Sequence, residues 1–267
     1  MESPSSALDL PAYLARIEFA GEPRPDLATL RAVHEAHITY IPFENLDIPL
    51  GRGIRIDLES VQAKLVRDRR GGYCFEQNAL LAAALEAIGF PVTRLSARVR
   101  AGHTVVLPRT HMLLRVECEG RSYIADAGFG GWSLVEPIPL EADVEFRQGA
   151  WTYVLRREGE LIWVLQCLEC PTGPDLYAFD LTPHLPIDYA PANHYTSTHP
   201  DSRFVISVTA QRSGREMKHV LRNRELLTIH PTGTHVEMIE SDEQLLDVLA
   251  VRFGIRLPEG TSFPQYS

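Results

Sequence analysis

Apolar side chains recur at helical spacing along residues 1–90 of the chain, three or four positions apart. This pattern predicts four helices. The second follows Asp26, whose carboxylate can accept hydrogen bonds from the first helical turn. The fourth is predicted to begin just after Gly71-Gly72 and to end at Gly89, because glycine readily adopts the left-handed conformation common at helix ends. The apolar positions are Leu10, Tyr13, Leu14 and Ile17; Leu27 and Leu30; Leu58 to Val66; and Leu81, Ala84, Leu85 and Ile88.

The apolar period shortens to two residues after Pro91, which is the alternation of β-strands. Tight turns are predicted at Glu119-Gly120 and Glu158-Gly159, since glycine accepts positive φ. The middle of the chain is therefore predicted to be an antiparallel sheet or barrel. Its strands are Val92 to Val99, His111 to Glu117, Ser122 to Asp126, Trp151 to Arg157 and Leu161 to Gln166.

The last part of the chain gives weaker signals. Residues 183–200 are rich in Pro, His, Asn and Thr without a clear period, so we expect a linker or an ordered crossing segment. Strands are predicted again at Phe204 to Gln211 and around Met217 to Leu221. A final helix is predicted to begin at Ser241, the first residue of a capping box, and to end at Gly254.

Composition bounds the class of protein. The chain has 267 residues, 45% of them apolar, which suffices for a sizeable core in one large domain or in two to three small ones. It carries 26 Lys and Arg against 35 Asp and Glu, a net charge of −9, so a nucleic-acid partner is not expected. The longest apolar run, 79–85, is too short for a membrane span, so no membrane partner is expected either.

The four cysteines are expected to be thiols. Residues 1–6 lack the charged and apolar regions of a signal peptide, which favours a cytoplasmic location and a reducing compartment. Cys167 and Cys170 have the spacing of a zinc or redox pair, but no second cysteine pair or His-x-x-x-His accompanies them. No metal site is predicted.

Cys74 is the residue most suggestive of chemistry, because it lies at the predicted start of the fourth helix. There the positive end of the helix dipole favours a thiolate. His111 and Asp126 stand in apolar strands, and the turn between those strands makes them neighbours that face each other. Each residue alone also has a non-catalytic interpretation. Cys74 could be a small buried thiol, His111 a hydrogen-bonded core histidine and Asp126 a carboxylate that caps a turn. Together they form the set needed for nucleophilic catalysis.

Several sequence blocks resemble the signature blocks of the arylamine N-acetyltransferases, in the same order and over nearly the whole chain. The resemblance implies an α+β fold with a cysteine-protease-like catalytic core. In it, an N-terminal helical bundle (1–90) carries the nucleophile, a central antiparallel β-barrel (91–190) carries His and Asp, and an α/β lid (191–267) follows. Ala127, where the family often has Val, is a minor departure. The blocks are Ile41 to Leu46, Arg70 to Asn78, Pro108 to Met112, Asp126 to Gly130 and Tyr195 to Pro200.

The resemblance also implies roles. Cys74 would be the nucleophile, His111 the general base and acid, and Asp126 the carboxylate that orients His111. Acetyl-CoA would be the co-substrate that acylates the cysteine, without a metal, and an arylamine, arylhydrazine or arylhydroxylamine would take the acetyl group. The residues expected near CoA are Thr110, Gly128, Phe129 and Gly130, and those expected to line the acceptor pocket are Phe43 and Phe129.

Two other functions remain open from sequence. A cysteine hydrolase, such as an amidase, would use the same three residues with water as the acceptor. The second is a binding domain that has lost catalysis. The presence of Cys74, His111 and Asp126 together argues against this second function. The partner is expected to be a small molecule, and a homodimer stays an open alternative. The sequence identifies neither the physiological acceptor nor the preferred acyl-CoA donor.

Overall fold

The computed structural model describes residues 7–263, so residues 1–6, on which the expected location rests, lie outside the described part. Within that part the chain is α+β, with six α-helices and two antiparallel sheets. None of the described helices is long and apolar enough to cross a membrane. The helices are α1 (Leu10–Arg16), α2 (Leu27–Tyr40), α3 (Leu58–Gln62), α4 (Cys74–Ile88), α5 (Tyr189–Thr198) and α6 (Asp242–Phe253).

The larger sheet has eight strands and forms a nearly closed barrel, and the smaller sheet has five. In spatial order, the larger contains β5 (Ile138–Pro139), β4 (Arg121–Ala125), β3 (Arg109–Cys118), β2 (Val92–Val99), β9 (Asp175–Phe179), β8 (Ile162–Cys167), β7 (Trp151–Glu158) and β6 (Glu145–Gln148). The smaller contains β1 (Phe43–Glu44), β10 (Thr209–Arg212), β11 (Lys218–Arg222), β12 (Glu225–His230) and β13 (Gly233–Met238).

The predicted N-terminal helices are confirmed. Asp26 caps α2 by accepting a hydrogen bond from the Thr29 N–H at 2.8 Å. Helix α4 ends at Gly89, which has φ 108° and could not readily be another residue. The third helix is shorter than predicted, since α3 ends at Gln62 and a π-helical turn, Ala63–Arg67, follows it.

The five predicted strands of the barrel are confirmed, with ends shifted by a few residues. Positive φ at Gly120 and Gly159 makes the β3–β4 and β7–β8 turns as expected. The sequence did not indicate β9, which lies between β2 and β8. Its residues from Leu176 to Phe179 are all buried, so they show no alternation of apolar and polar positions.

The prediction of a linker over 183–200 is wrong, because most of this segment forms α5. The proline at 191 lies in the first helical turn, where a missing N–H is tolerated. The buried face of the helix is Tyr189, Asn193 and Thr196, mostly polar, and this hides the helical period. The strand predicted from Phe204 is also shorter, since 204–208 is turn and bend and only Thr209–Arg212 is β10.

Three apolar clusters make up the interior, and β3 connects two of them. Met112, Leu114 and Val116 face the helices α1 to α4, whereas Leu113 points into the barrel. The third cluster lies between α6 and the smaller sheet. Strand β1, from the mainly helical part of the chain, pairs with β10, with Phe43 opposite Gln211. The candidate site lies where these units meet.

Candidate active site

Cys74 is the first residue of α4 and is 4% exposed. The two residues before it must be glycines, because neighbouring atoms lie too close to leave room for a side chain. A Cβ on Gly71 would lie 2.0 Å from the Pro42 carbonyl oxygen, and one on Gly72 would lie 2.7 Å from Glu76 Oε2. The turn into α4 is thus held tightly against the preceding chain, which fixes the position of the sulfur.

The first turn of α4 is capped by a buried carboxylate. Glu76 Oε2 accepts a hydrogen bond from the Tyr73 N–H at 3.0 Å, and its Oε1 lies 2.8 Å from Lys64 Nζ. Burial raises the pKa of Glu76 to about 7, although the Lys64 ammonium acts in the opposite direction. This cap closes the helix start just beside the nucleophile candidate.

A buried ion cluster supports the same turn. The Arg70 guanidinium lies 2.7 Å from Glu44 Oε1 and 3.3 Å from Asp47 Oδ1, and Lys64 Nζ lies 2.9 Å from Asp47 Oδ2. The other Glu44 oxygen accepts the Leu46 N–H at 2.7 Å. Glu44 therefore anchors the chain on both sides of this turn.

His111 and Asp126 lie together in the barrel wall and are buried. His111 Nε2 donates to Asp126 Oδ2 at 2.7 Å. The strand pairing stops at Leu114 opposite Ala125, so Asp126 is the first residue past β4 and His111 lies three residues further along β3. The two side chains meet across this offset beyond the paired section.

Asp126 is kept ionised by its partners. Its Oδ1 accepts hydrogen bonds from Asn78 Nδ2 at 2.9 Å and from the Gly128 N–H at 2.8 Å. Burial acts to raise its pKa, but the His111 charge and these hydrogen bonds outweigh burial and leave the pKa below its usual value. A buried carboxylate with three donors is suited to orient an imidazole.

Behind Asp126 lies a second, neutral histidine. The Asp126 N–H donates to His34 Nε2 at 3.0 Å, and His34 Nδ1 donates to the Val135 carbonyl at 3.1 Å. Burial lowers the pKa of His34 to about 4. His34 therefore positions the backbone of Asp126 without adding charge.

The Cys74 sulfur also acts electrostatically on His111, and because Nε2 is taken by Asp126, Nδ1 is the nitrogen left to serve the sulfur. Burial disfavours charge on this ring, yet the Asp126 carboxylate and the Cys74 sulfur outweigh burial and raise the pKa of His111 to about 10. The ring is packed between Phe129 and Tyr177, with centroids 5.1 and 4.7 Å away. His111 thus interacts with both of the other predicted residues.

A cleft of about 310 Å³ opens over the sulfur. Phe43, Phe129, Thr110 and Gly128 line it, and the Cys74 Sγ lies 3.6 Å from the Thr110 carbonyl oxygen. Gly130 is not among the described residues that line this cleft. It has φ 76°, and a Cβ there would lie 2.4 Å from Gln211 Oε1, so its contact is with the smaller sheet.

Sequence reasoning missed Asn78, which ties the trio together. It lies one helical turn after Cys74, donates to the Met112 carbonyl at 2.7 Å and accepts the Ala127 N–H at 3.1 Å. A Cβ on Gly128 would lie 2.6 Å from Asn78 Nδ2. The available signal was a polar residue four positions after the cysteine, which is the spacing of one helix face.

The Cys167 and Cys170 thiols are free and buried, and away from the described cleft lining. Across residues 7–263, no group of three or more His, Cys, Asp or Glu side chains is placed to hold a metal ion. Burial raises the pKa of Cys167 to about 12, despite the nearby Lys218 charge. This thiol lacks the environment of a reactive cysteine.

The chain matches known proteins over most of its length. The sequence pattern of the N-acetyltransferase family matches residues 26–261. An arylamine N-acetyltransferase of Mycolicibacterium smegmatis is 41% identical over 257 residues, which cover 94% of this chain and 93% of that protein. The chain belongs to the arylamine N-acetyltransferase family.

Solved structures of arylamine N-acetyltransferases have the same fold. The M. smegmatis structure gives a TM-score of 0.90 at 39% identity and covers 97% of this chain and 98% of its own. The Mycobacterium marinum arylamine N-acetyltransferase, solved in complex with CoA, gives 0.88 at 32% identity and 97% coverage of both chains. The resemblance inferred from the signature blocks is confirmed, and so is the α+β fold class.

Proposed function

We propose that this member of the arylamine N-acetyltransferases transfers an acetyl group from acetyl-CoA to an arylamine, arylhydrazine or arylhydroxylamine through a thioester on Cys74. The observation that carries the proposal is the His111 ring, which donates to Asp126 at 2.7 Å through one nitrogen while the Cys74 sulfur raises the pKa of the same ring. This arrangement supplies a nucleophile, a base beside it and a carboxylate that orients the base.

In the first half-reaction the Cys74 thiolate attacks the carbonyl carbon of acetyl-CoA. The carbonyl oxygen becomes an oxyanion close to the first turn of α4, whose N–H groups have no acceptor within the helix. The C–S bond to CoA then breaks, and the departing sulfur takes the proton of the His111 imidazolium. The products are acetyl-Cys74, neutral His111 and CoA.

In the second half-reaction the amine nitrogen attacks the same carbonyl carbon. Aromatic amines are weakly basic and unprotonated at neutral pH, so they can attack directly. His111 takes one proton from the nitrogen, the C–S bond to Cys74 breaks, and the amide leaves. Thiolate and imidazolium are thereby restored, which closes a ping-pong cycle.

The cleft supports an aromatic acceptor. Phe43 and Phe129 line it, and Phe204 extends the aromatic wall, with its ring 5.8 Å from that of Phe43. Aromatic rings at this spacing favour offset or edge contacts with another ring. The M. marinum complex with CoA supports the choice of acetyl-CoA as the donor of this chain.

Intact-protein mass spectrometry tests the proposal. The protein is mixed with acetyl-CoA alone, and an arylamine such as an aminosalicylate is then added. We expect an acetyl adduct on Cys74 that disappears as acetylated amine forms. An adduct discharged equally fast by water alone would indicate a cysteine hydrolase and overturn the proposal.

The variants Cys74→Ser and Cys74→Ala should form no adduct and lose acetyl transfer, because neither side chain ionises near neutral pH. Cys118→Ala is the matched control, since it removes another buried thiol that does not line the cleft. It should keep the wild-type rate. Acetyl transfer by a Cys74 variant at more than a small fraction of that rate would contradict the assignment.

A further inference from the structure

Two arginines line the cleft that contains Cys74. Arg203 lies in the turn segment before β10, and Arg222 is the last residue of β11. The Arg203 guanidinium stands 5.6 Å from the centre of the Phe204 ring, so it continues the aromatic wall. Both residues are exposed to solvent overall, although the cleft wall covers part of the Arg203 side chain.

Neither guanidinium has an acidic partner. Across residues 7–263, no Asp or Glu oxygen lies within 4.0 Å of Arg203 or Arg222. Arg222 is opposite Glu225 in the strand register and still forms no ion pair with it. The one acid among the described residues of the cleft lining, Asp201, lies 3.9 Å from His199.

The two arginines also repel each other. Burial lowers the pKa of Arg203, and the positive charge of Arg222 lowers it further. Like charges held together without a carboxylate are costly in the free protein, and an anion between them removes that cost. Planar guanidinium groups bind phosphate oxygens through paired N–H donors, and more strongly than neutral donors do.

We propose that Arg203 and Arg222 form an anion subsite for the phosphate groups of the acyl-CoA donor. This inference rests on the proposed function, in which the donor thioester reaches Cys74 in the same cleft. Of the two substrates only the donor carries phosphate, because the arylamine acceptors have none. The arginines would thus bind the donor, whereas the aromatic side chains of the cleft would bind the acceptor.

The test compares two acetyl donors. Acetyl-CoA carries phosphates, and S-acetyl-N-acetylcysteamine presents a similar thioester without them. The variants are Arg203→Gln, Arg222→Gln and the double variant. We expect the KM for acetyl-CoA to rise about tenfold for each arginine, since a hydrogen bond to a charged group contributes at least that much. The kcat/KM for the cysteamine donor should stay within about twofold.

Two controls make the comparison sharp. Arg256→Gln removes the same charge from an exposed arginine that does not line the cleft, and should leave both donors unaffected. Raising the salt concentration should raise the wild-type KM for acetyl-CoA and have less effect on the double variant. Because both arginines are exposed overall, both single variants are expected to fold.

The outcomes separate the two proposals. An unchanged KM for acetyl-CoA in the double variant would overturn the phosphate subsite. An equal loss with both donors would also overturn it and assign the arginines to support of the cleft wall. Failure of the wild type to acetylate arylamines from either donor would instead overturn the proposed function.

Discussion

At the scale of single residues, His111 carries the proton that moves in the proposed reaction. Its ring lies between the Asp126 carboxylate and the Cys74 sulfur, and its pKa is raised to about 10 by these neighbours against the effect of burial. The ring therefore remains an imidazolium across neutral pH. An imidazolium at this position can serve as the general acid that passes its proton to the departing sulfur of the donor.

Asp126→Asn keeps the shape of this side chain and removes its charge. We expect the pKa of His111 to fall, because burial then acts against a weaker opposing charge, and acetyl transfer to slow by about 10²- to 10⁴-fold. NMR of histidine-labelled protein measures the pKa, and steady-state kinetics measures the rate. Asp143→Asn, at an exposed carboxylate, is the control and should alter neither. A His111 that still titrates near pH 10 in Asp126→Asn would contradict this account.

The three proposed catalytic residues could be singled out from sequence because each breaks a local pattern. Cys74 follows a glycine pair at a helix start, and His111 and Asp126 interrupt apolar strands. Asn78 and His34 could not be found in the same way. Their functions are hydrogen bonds to backbone groups distant in sequence, such as the Met112 carbonyl and the Asp126 N–H, which exist only once the fold has formed.

At the scale of elements, the start of α4 depends on buried charge. Arg70 lies against Glu44 at 2.7 Å, and the side chains are 8% and 0% exposed. A buried carboxylate left without its partner is far more costly than an exposed one, because water cannot solvate it. The stability of the turn that presents Cys74 therefore depends on this ion pair.

Arg70→Met should lower the free energy of unfolding by about 3–5 kcal/mol, because it leaves Glu44 buried and unpaired. Arg24→Met is the control. It breaks a pair with Glu22 whose side chains are 69% and 77% exposed, and should change stability by less than about 1 kcal/mol. Denaturant titration measures both. Similar losses in the two variants would show that burial of the pair is irrelevant.

Elements were predicted where the apolar period is visible and missed where it is hidden. Helices α2, α4 and α6 have clear caps, and the Ser241 hydroxyl accepts the Gln244 N–H as predicted for α6. Helix α5 buries polar residues, so its period is absent from the apolar pattern. Strand β13 is almost wholly exposed and shows no alternation either.

At the scale of the whole molecule, Lys218 connects the smaller sheet to the barrel. It is fully buried, and its Nζ lies 4.4 Å from the Trp151 ring centre and 4.8 Å from that of Trp132. The Tyr153 and Ser213 hydroxyls lie 3.3 Å from the same nitrogen. Burial lowers the pKa of Lys218 to about 7, although Cys167 acts in the opposite direction.

A lysine whose pKa is lowered on folding destabilises the fold at every pH at which that lysine is protonated in the unfolded chain. This cost is complete below about pH 7 and disappears as the pH rises towards 10.5. Lys218→Met should therefore be more stable than the wild type at neutral pH, with an advantage that shrinks as pH rises. Unfolding titrations at several pH values measure it, with Arg256→Gln as the charge control. A difference independent of pH would contradict the prediction.

The three proposed catalytic residues come from separate parts of this assembly. Cys74 belongs to the helices, whereas His111 and Asp126 belong to the barrel wall. Gly128 lets the barrel approach helix α4 so closely that a methyl group at this position would not fit. The sulfur therefore meets its histidine only once the helices and the barrel have joined. The proposed site is assembled last, so a chain that has not finished folding lacks it.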